Sequence, residues 1–95
     1  MRVGFTPRAR SDLSVIAEYL RPRSPAGAKR VGAALDAFFK TLSRYPYSGR
    51  VQDVPRVRKG VVPPWGYVVY YRVDKEAVVV LAVQHPAQAR PFTDD

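Results

Sequence analysis

The spacing of hydrophobic residues changes once along this 95-residue chain, at Pro46, and that change limits the folds open to it. Before Pro46, apolar residues recur every three or four positions, the period of a helix with one buried face. Ala9, Leu13, Ile16, Ala17 and Leu20 form a first stripe; Ala28, Val31, Leu35, Phe38, Phe39 and Leu42 form a second. Each stripe follows a hydroxyl residue and a proline, Thr6-Pro7 and Ser24-Pro25. The hydroxyl can cap orphan N–H groups, and proline suits the first helical position, where an N–H has no partner anyway. Pro22 is expected to stop the first helix, and the second should end before Pro46. The short link between them predicts an antiparallel hairpin. Gly27 and Gly32 each cost the second helix about 1 kcal/mol relative to Ala.

Beyond Pro46 the chemistry is that of turns and strands. Tyr45–Asp53, with Pro46, Ser48 and Gly49, reads as a loop. Val54–Val62, Tyr67–Val73 and Ala77–Val83 are β-branched and aromatic runs, with Pro63-Pro64 between the first two and an Asp74-Lys75-Glu76 hairpin between the last two. Tyr67, Val69, Tyr71 and Val73 fall on one face of their strand, and Val68, Tyr70 and Arg72 on the other. The last run is almost continuously apolar, as in a central strand covered on both faces, and Pro86 ends it. Arg2–Phe5 adds a first strand. The order β-α-α-β-β-β predicts one α+β domain over residues 1–95, with the helix hairpin on one face of a mostly antiparallel sheet. The other face is left open for binding. Residues 86–95 lack periodicity and are expected to form a mobile tail unless a partner orders them.

Charge narrows the function. Sixteen Lys and Arg against eight Asp and Glu give +8, and twelve of the sixteen are Arg. Such a surplus attracts polyanions, and Arg favours bidentate pairing with phosphate or carboxylate. One His, no Cys, no glycine-rich phosphate loop and no paired carboxylates argue against metal and cofactor enzymes, so no cofactor is expected. No run approaches the ~18 apolar residues of a membrane span, and the start lacks a secretory h-region. A soluble, cytoplasmic protein with no membrane partner is the expectation.

In their order, several segments resemble the RelE/ParE superfamily of type II toxin–antitoxin toxins. They are Ala9-Arg10-Ser11-Asp12-Leu13 with Ile16 and Tyr19, Ser24-Pro25, and Leu42-Ser43-Arg44-Tyr45-Pro46 with Gly49-Arg50. Tyr67-Val68-Val69-Tyr70-Tyr71-Arg72-Val73 and Val83-Gln84-His85 complete the set. The resemblance runs to about His85 or Arg90. It implies a toxin held in a hetero-oligomer with a cognate antitoxin, whose acidic, partly disordered segment would wrap the Arg-rich surface. One branch of the superfamily cleaves mRNA on the ribosome; the other, ParE-like, inhibits DNA gyrase.

Metal-free RNA cleavage needs a base, an acid and a cation for the phosphorane charge. His85, Asp53, Arg58 and Arg72 are the candidates, with Arg56, Lys59 and Arg90 as further cations. The structural reading of His85 is a strand-end residue bonded to backbone, that of Asp53 a turn residue, and that of Tyr67, Tyr70 and Tyr71 packing. Arg56, Arg58 and Lys59 form the candidate contact with an anionic target or antitoxin, together with Arg72, His85 and Arg90. Trp65 is either a core cap or an interface anchor. The nuclease branch commonly carries an Arg where this chain has Tyr67, and a Tyr-containing ending where this chain has Pro86-Ala87-Gln88-Ala89-Arg90. The resemblance is therefore closer to the ParE-like branch, which would use Arg8, Arg10, Arg21 and Arg23 of the hairpin, or Arg90, to contact gyrase. Ribosome-dependent mRNA cleavage is the alternative, and a non-toxic nucleic-acid- or antitoxin-binding module a further one.

Overall fold

The computed structural model describes residues 1–93; the last two residues of the expected tail, Asp94 and Asp95, lie outside the described residues. The elements follow the order β1 (Arg2–Phe5), α1 (Pro7–Arg23), α2 (Pro25–Arg44), β2 (Arg50–Val51), β3 (Val57–Val62), β4 (Tyr67–Val73) and β5 (Ala77–Gln84), with a 3₁₀ turn at Pro86–Gln88. The fold is α+β, and the strands form one mixed sheet in the order β1-β5-β4-β3-β2. Only the β1–β5 pair is parallel.

Both hydroxyl–proline pairs cap helices. Thr6 Oγ1 accepts from Ala9 N at 3.1 Å, and Ser24 Oγ accepts from Gly27 N at 3.0 Å. Pro22 does not stop α1, which runs through it to Arg23. It lies in the last turn, so its missing N–H removes one bond near the end, while Ser24 N still bonds Leu20 O at 2.8 Å. Ser24 thus closes one helix and opens the next.

The expected loop before the sheet contains a short strand, β2, because Arg50 and Val51 pair with Lys59 and Arg58. The run read as starting at Val54 begins at Val57. Arg56 has φ of 68°, a turn conformation, and Val57 N bonds back to Val54 O at 3.2 Å.

Tyr67, Val69 and Tyr71 of β4 pack with Leu35 and Leu42 of α2 in the larger core, while Val68 and Tyr70 join a smaller cluster on the opposite face. Two close approaches require glycine on the helix side. A Cβ on Gly60 would sit 2.4 Å from Phe38 Cζ, and one on Gly49 would sit 2.5 Å from the Tyr71 hydroxyl.

One irregularity in β5 aims the end of the sheet. Tyr70 pairs with Ala82 but Tyr71 with Val80, so Leu81 is an extra residue. A bulge of this kind shifts the alternation of faces beyond it. Val78 and Val80 lie in the helix-side core, Leu81 and Ala82 both in the other cluster, and Val83 in the helix-side core again. The same shift puts His85 on the helix side, where its ring meets Tyr67 edge-on at 5.5 Å.

β1 pairs only with Ala77–Val80 of the longer β5, leaving that edge uncovered at its far end. The start of α1 completes it: Thr6 Oγ1 donates to Leu81 O at 3.1 Å, and Asp12 Oδ2 accepts from Val83 N at 2.9 Å.

Candidate functional site

The sheet face away from the helices is not bare, because the segment expected to be mobile lies across it. Phe92 is buried against Tyr70, with ring centroids 5.5 Å apart, and Arg8 stands over the Phe92 ring at 5.2 Å. Tyr70 donates its hydroxyl hydrogen to Arg90 O at 2.7 Å, Arg90 N donates to Gln84 Oε1, and Arg8 donates to Thr93 O. Burial raises the Tyr70 phenol above the ordinary tyrosine value.

Between this segment and β2–β3 runs a groove of about 400 Å³, lined by Arg50, Gln52, Asp53, Lys59, Tyr70 and Arg90 among others. Arg50 and Lys59 stand directly opposite one another across the antiparallel pair. Like charges in that position oppose pairing. None of the three cations has an ion-pair partner among the described residues, whose pairs are Lys40–Asp36, Arg56–Asp74 and Arg72–Asp74. A groove that concentrates positive charge in this way attracts anions.

The residues singled out in the sequence divide among several places. Lys59, Asp53 and Arg90 meet in the groove. Arg58 lies on the helix side, donating to Tyr47 O at 3.0 Å and Gly49 O at 2.9 Å, and so fastens the loop before β2. Arg56 and Arg72 share one oxygen of Asp74, each at 3.1 Å. Trp65 is 40% exposed in the β3–β4 turn. His85 Nδ1 accepts from Ala87 N at 3.0 Å and caps the 3₁₀ turn, which makes it a strand-end residue bonded to backbone. Arg50 and Gln52 join the groove without a sequence signal that marks them as site residues. The Gly49-Arg50 step was visible, but pairing with Lys59 depends on a strand too short to show periodicity.

Among the described residues no group of three His, Asp or Glu side chains is placed to hold a metal, and no helix is long and apolar enough to cross a membrane. A two-helix hairpin on a mixed five-stranded sheet, with a cationic groove on the opposite face, defines a small basic α+β domain. Residues 3–90 match the family model described as ParE toxin of type II toxin-antitoxin system, parDE. The chain belongs to this RelE/ParE superfamily and is a type II toxin. It is 33% identical over 87 residues to Toxin RelE2 of Caulobacter vibrioides, covering 92% of this chain and 97% of that one. It is 31% identical over 90 residues to Toxin RelE3 of the same organism, covering 93% and 97%. Its fold matches a chain from the chromosomal ParDE toxin–antitoxin system of P. aeruginosa with a TM-score of 0.76, at 23% identity, over 90% of this chain and 95% of that one.

Proposed function

We propose that this toxin acts by binding rather than by cleavage, as a ParE-like inhibitor of DNA gyrase held in check by an acidic cognate antitoxin. The placement of His85 carries this reading. The bulge at Leu81 turns it to the helix side, while Asp53 opens on the other face. The two also stand at opposite ends of the sheet. His85 follows the Gln84–Val68 pair, and Asp53 follows Gln52, whose N–H donates to Val57 O, while Val57 pairs with Arg72. Val68 and Arg72 are four positions apart along β4, roughly 13 Å at about 3.3 Å per residue. A proton donor and acceptor acting on one phosphodiester must both reach it directly or through one water. Arg58 and Arg72 are already engaged by loop carbonyls and by Asp74.

The antitoxin would place carboxylates along the Arg50–Lys59–Arg90 groove, where paired charges hold a segment that folds on binding. Both proteins would meet in the cytoplasm as a hetero-oligomer. A second reading rests on one observation: Asp53, Lys59, Tyr70 and Arg90 share the groove, so a carboxylate and two cations could face an RNA phosphate there. Induction of the His85→Ala and Asp53→Asn variants separates the two. The binding mode predicts growth arrest as strong as that of the parent chain in both. Loss of arrest in Asp53→Asn, with fold and expression unchanged, would replace it with mRNA cleavage.

A further inference from the structure

At the His85 end of β5, two neighbouring cavities share a wall; the first opens on the helix side of the sheet, and the second reaches round to Arg90, which also lines the groove. The first, about 300 Å³, is walled by Val15, Ile16, Tyr19, Tyr67, His85 and Gln88. The second, about 180 Å³, shares Val15, Ile16, His85 and Gln88 with it and adds Arg8, Asp12, Gln84 and Arg90. One lobe is therefore aromatic, and the other is lined by two arginines, of which Arg8 also donates to Thr93 O. Asp12 is the only carboxylate lining the second lobe, and it already accepts from Val83 N.

Three features of the aromatic lobe are unusual for mere packing. Val15 and Tyr19, one helical turn apart, are 60% and 56% exposed. Arg23 lies over the Tyr19 ring at 3.9 Å, which steadies an exposed aromatic that would otherwise be free to rotate. Tyr67 is 95% buried by residue exposure of 5%, yet its hydroxyl has no hydrogen-bond partner among the described residues. The neighbouring strand tyrosines differ, since Tyr71 accepts from Gly49 N and Tyr70 donates to Arg90 O. No fully buried side-chain polar atom is left unpaired among the described residues, so the Tyr67 oxygen must reach the cleft surface.

We propose that this cleft is a nucleotide subsite, taking an unstacked base in the lobe of Tyr19, Tyr67 and His85 and its phosphate in the lobe of Arg8 and Arg90. Because His85 Nδ1 accepts from Ala87 N, the hydrogen of a neutral ring sits on Nε2. That N–H, the Tyr67 hydroxyl and the Gln88 amide supply polar contacts for the edge of a base. Stacking on aromatic rings tolerates any base, and Arg contacts hold the backbone. The Arg23–Tyr19 pair offers such a platform. The aromatic lobe lies apart from the groove, and only Arg90 lines both cleft and groove; the inference does not rest on the gyrase reading.

The test is binding of a fluorescein-labelled 12-nucleotide single strand, as DNA and as RNA of the same sequence, to the purified chain over a range of salt. Tyr19→Leu, on an exposed helix face, should weaken binding about tenfold at every salt concentration, since a stacked base contributes about 1–3 kcal/mol. Tyr67→Phe should weaken it less. Arg8 lines this cleft and not the groove, and Arg8→Gln should instead lower the slope of log affinity against log salt by about one, the signature of a lost phosphate contact. Tighter binding of DNA or of RNA identifies the source of the nucleotide. Unchanged affinity in Tyr19→Leu, with circular dichroism like that of the parent, would overturn the subsite and leave the cleft to a protein partner. Growth arrest that persists in a variant unable to bind either strand would separate failure here from failure of the toxin mechanism.

Discussion

On the helix side of the sheet, Ala9, Val31, Leu35, Leu42, Val62, Val69, Tyr71, Val78 and Val80 are buried in one apolar cluster, and Phe5, Phe38 and Phe39 pack against it. On the other side the cluster is small: Val57, Val68, Tyr70, Leu81 and Ala82, roofed by Phe92 from the chain end. Beside that roof lie Arg50, Lys59 and Arg90, two of them set against each other by strand pairing. The first region holds the molecule together with close packing. The second holds little apolar area and keeps positive charge that folding does not require. In a chain this short, with one modest core, charge left in an unfavourable position points to a partner that supplies the opposite sign.

The comparison breaks first if the helix side is not the main source of stability. Leu42, 1% exposed, should lose about 2–5 kcal/mol on replacement by Ala, read from the denaturant midpoint at unchanged m-value. Phe92→Ala should cost less, about 1.5–3 kcal/mol, because water can enter the vacated edge of the smaller cluster. An equal or larger loss there would make the chain end a principal core element. Thr6→Ala should cost about 1 kcal/mol through the lost cap of α1. Tyr70→Phe sharpens the contrast by pH. A phenol raised above its ordinary value of 10.0 contributes stability that is present below that pH and is lost as pH rises through the folded value. The variant should therefore show a flatter alkaline decline. Smallest in stability is Lys59→Ala, expected within about 0.5 kcal/mol of the parent. Its effect should fall on antitoxin affinity, more at low salt than at high, measured by titration calorimetry at two ionic strengths.

Much of the helix side was legible in the sequence. Thr6-Pro7 and Ser24-Pro25 announce helices through local chemistry, and the alternation of Tyr67–Val73 assigns both faces of β4 correctly. What local pattern could not convey are events settled by pairing at a distance. The bulge at Leu81 arises between β4 and β5, and it decides that His85 faces Tyr67 rather than the groove. Arg58 reads like its neighbour Lys59 until strand alternation sends one to loop carbonyls and the other to the groove. The placement of residues 86–93 depends on an aromatic contact, Phe92 to Tyr70, and on a cation from the other end of the chain, Arg8. No periodic signal marks either.

The proposed mode of action is binding, with DNA gyrase as the target. Pulse-labelling of DNA, RNA and protein synthesis in the first minutes after inducing the chain alone tests it most directly. If gyrase is the target, thymidine incorporation falls first and the DNA-damage response rises. An early fall in amino-acid incorporation, with mRNA cut and DNA synthesis still running, would contradict it.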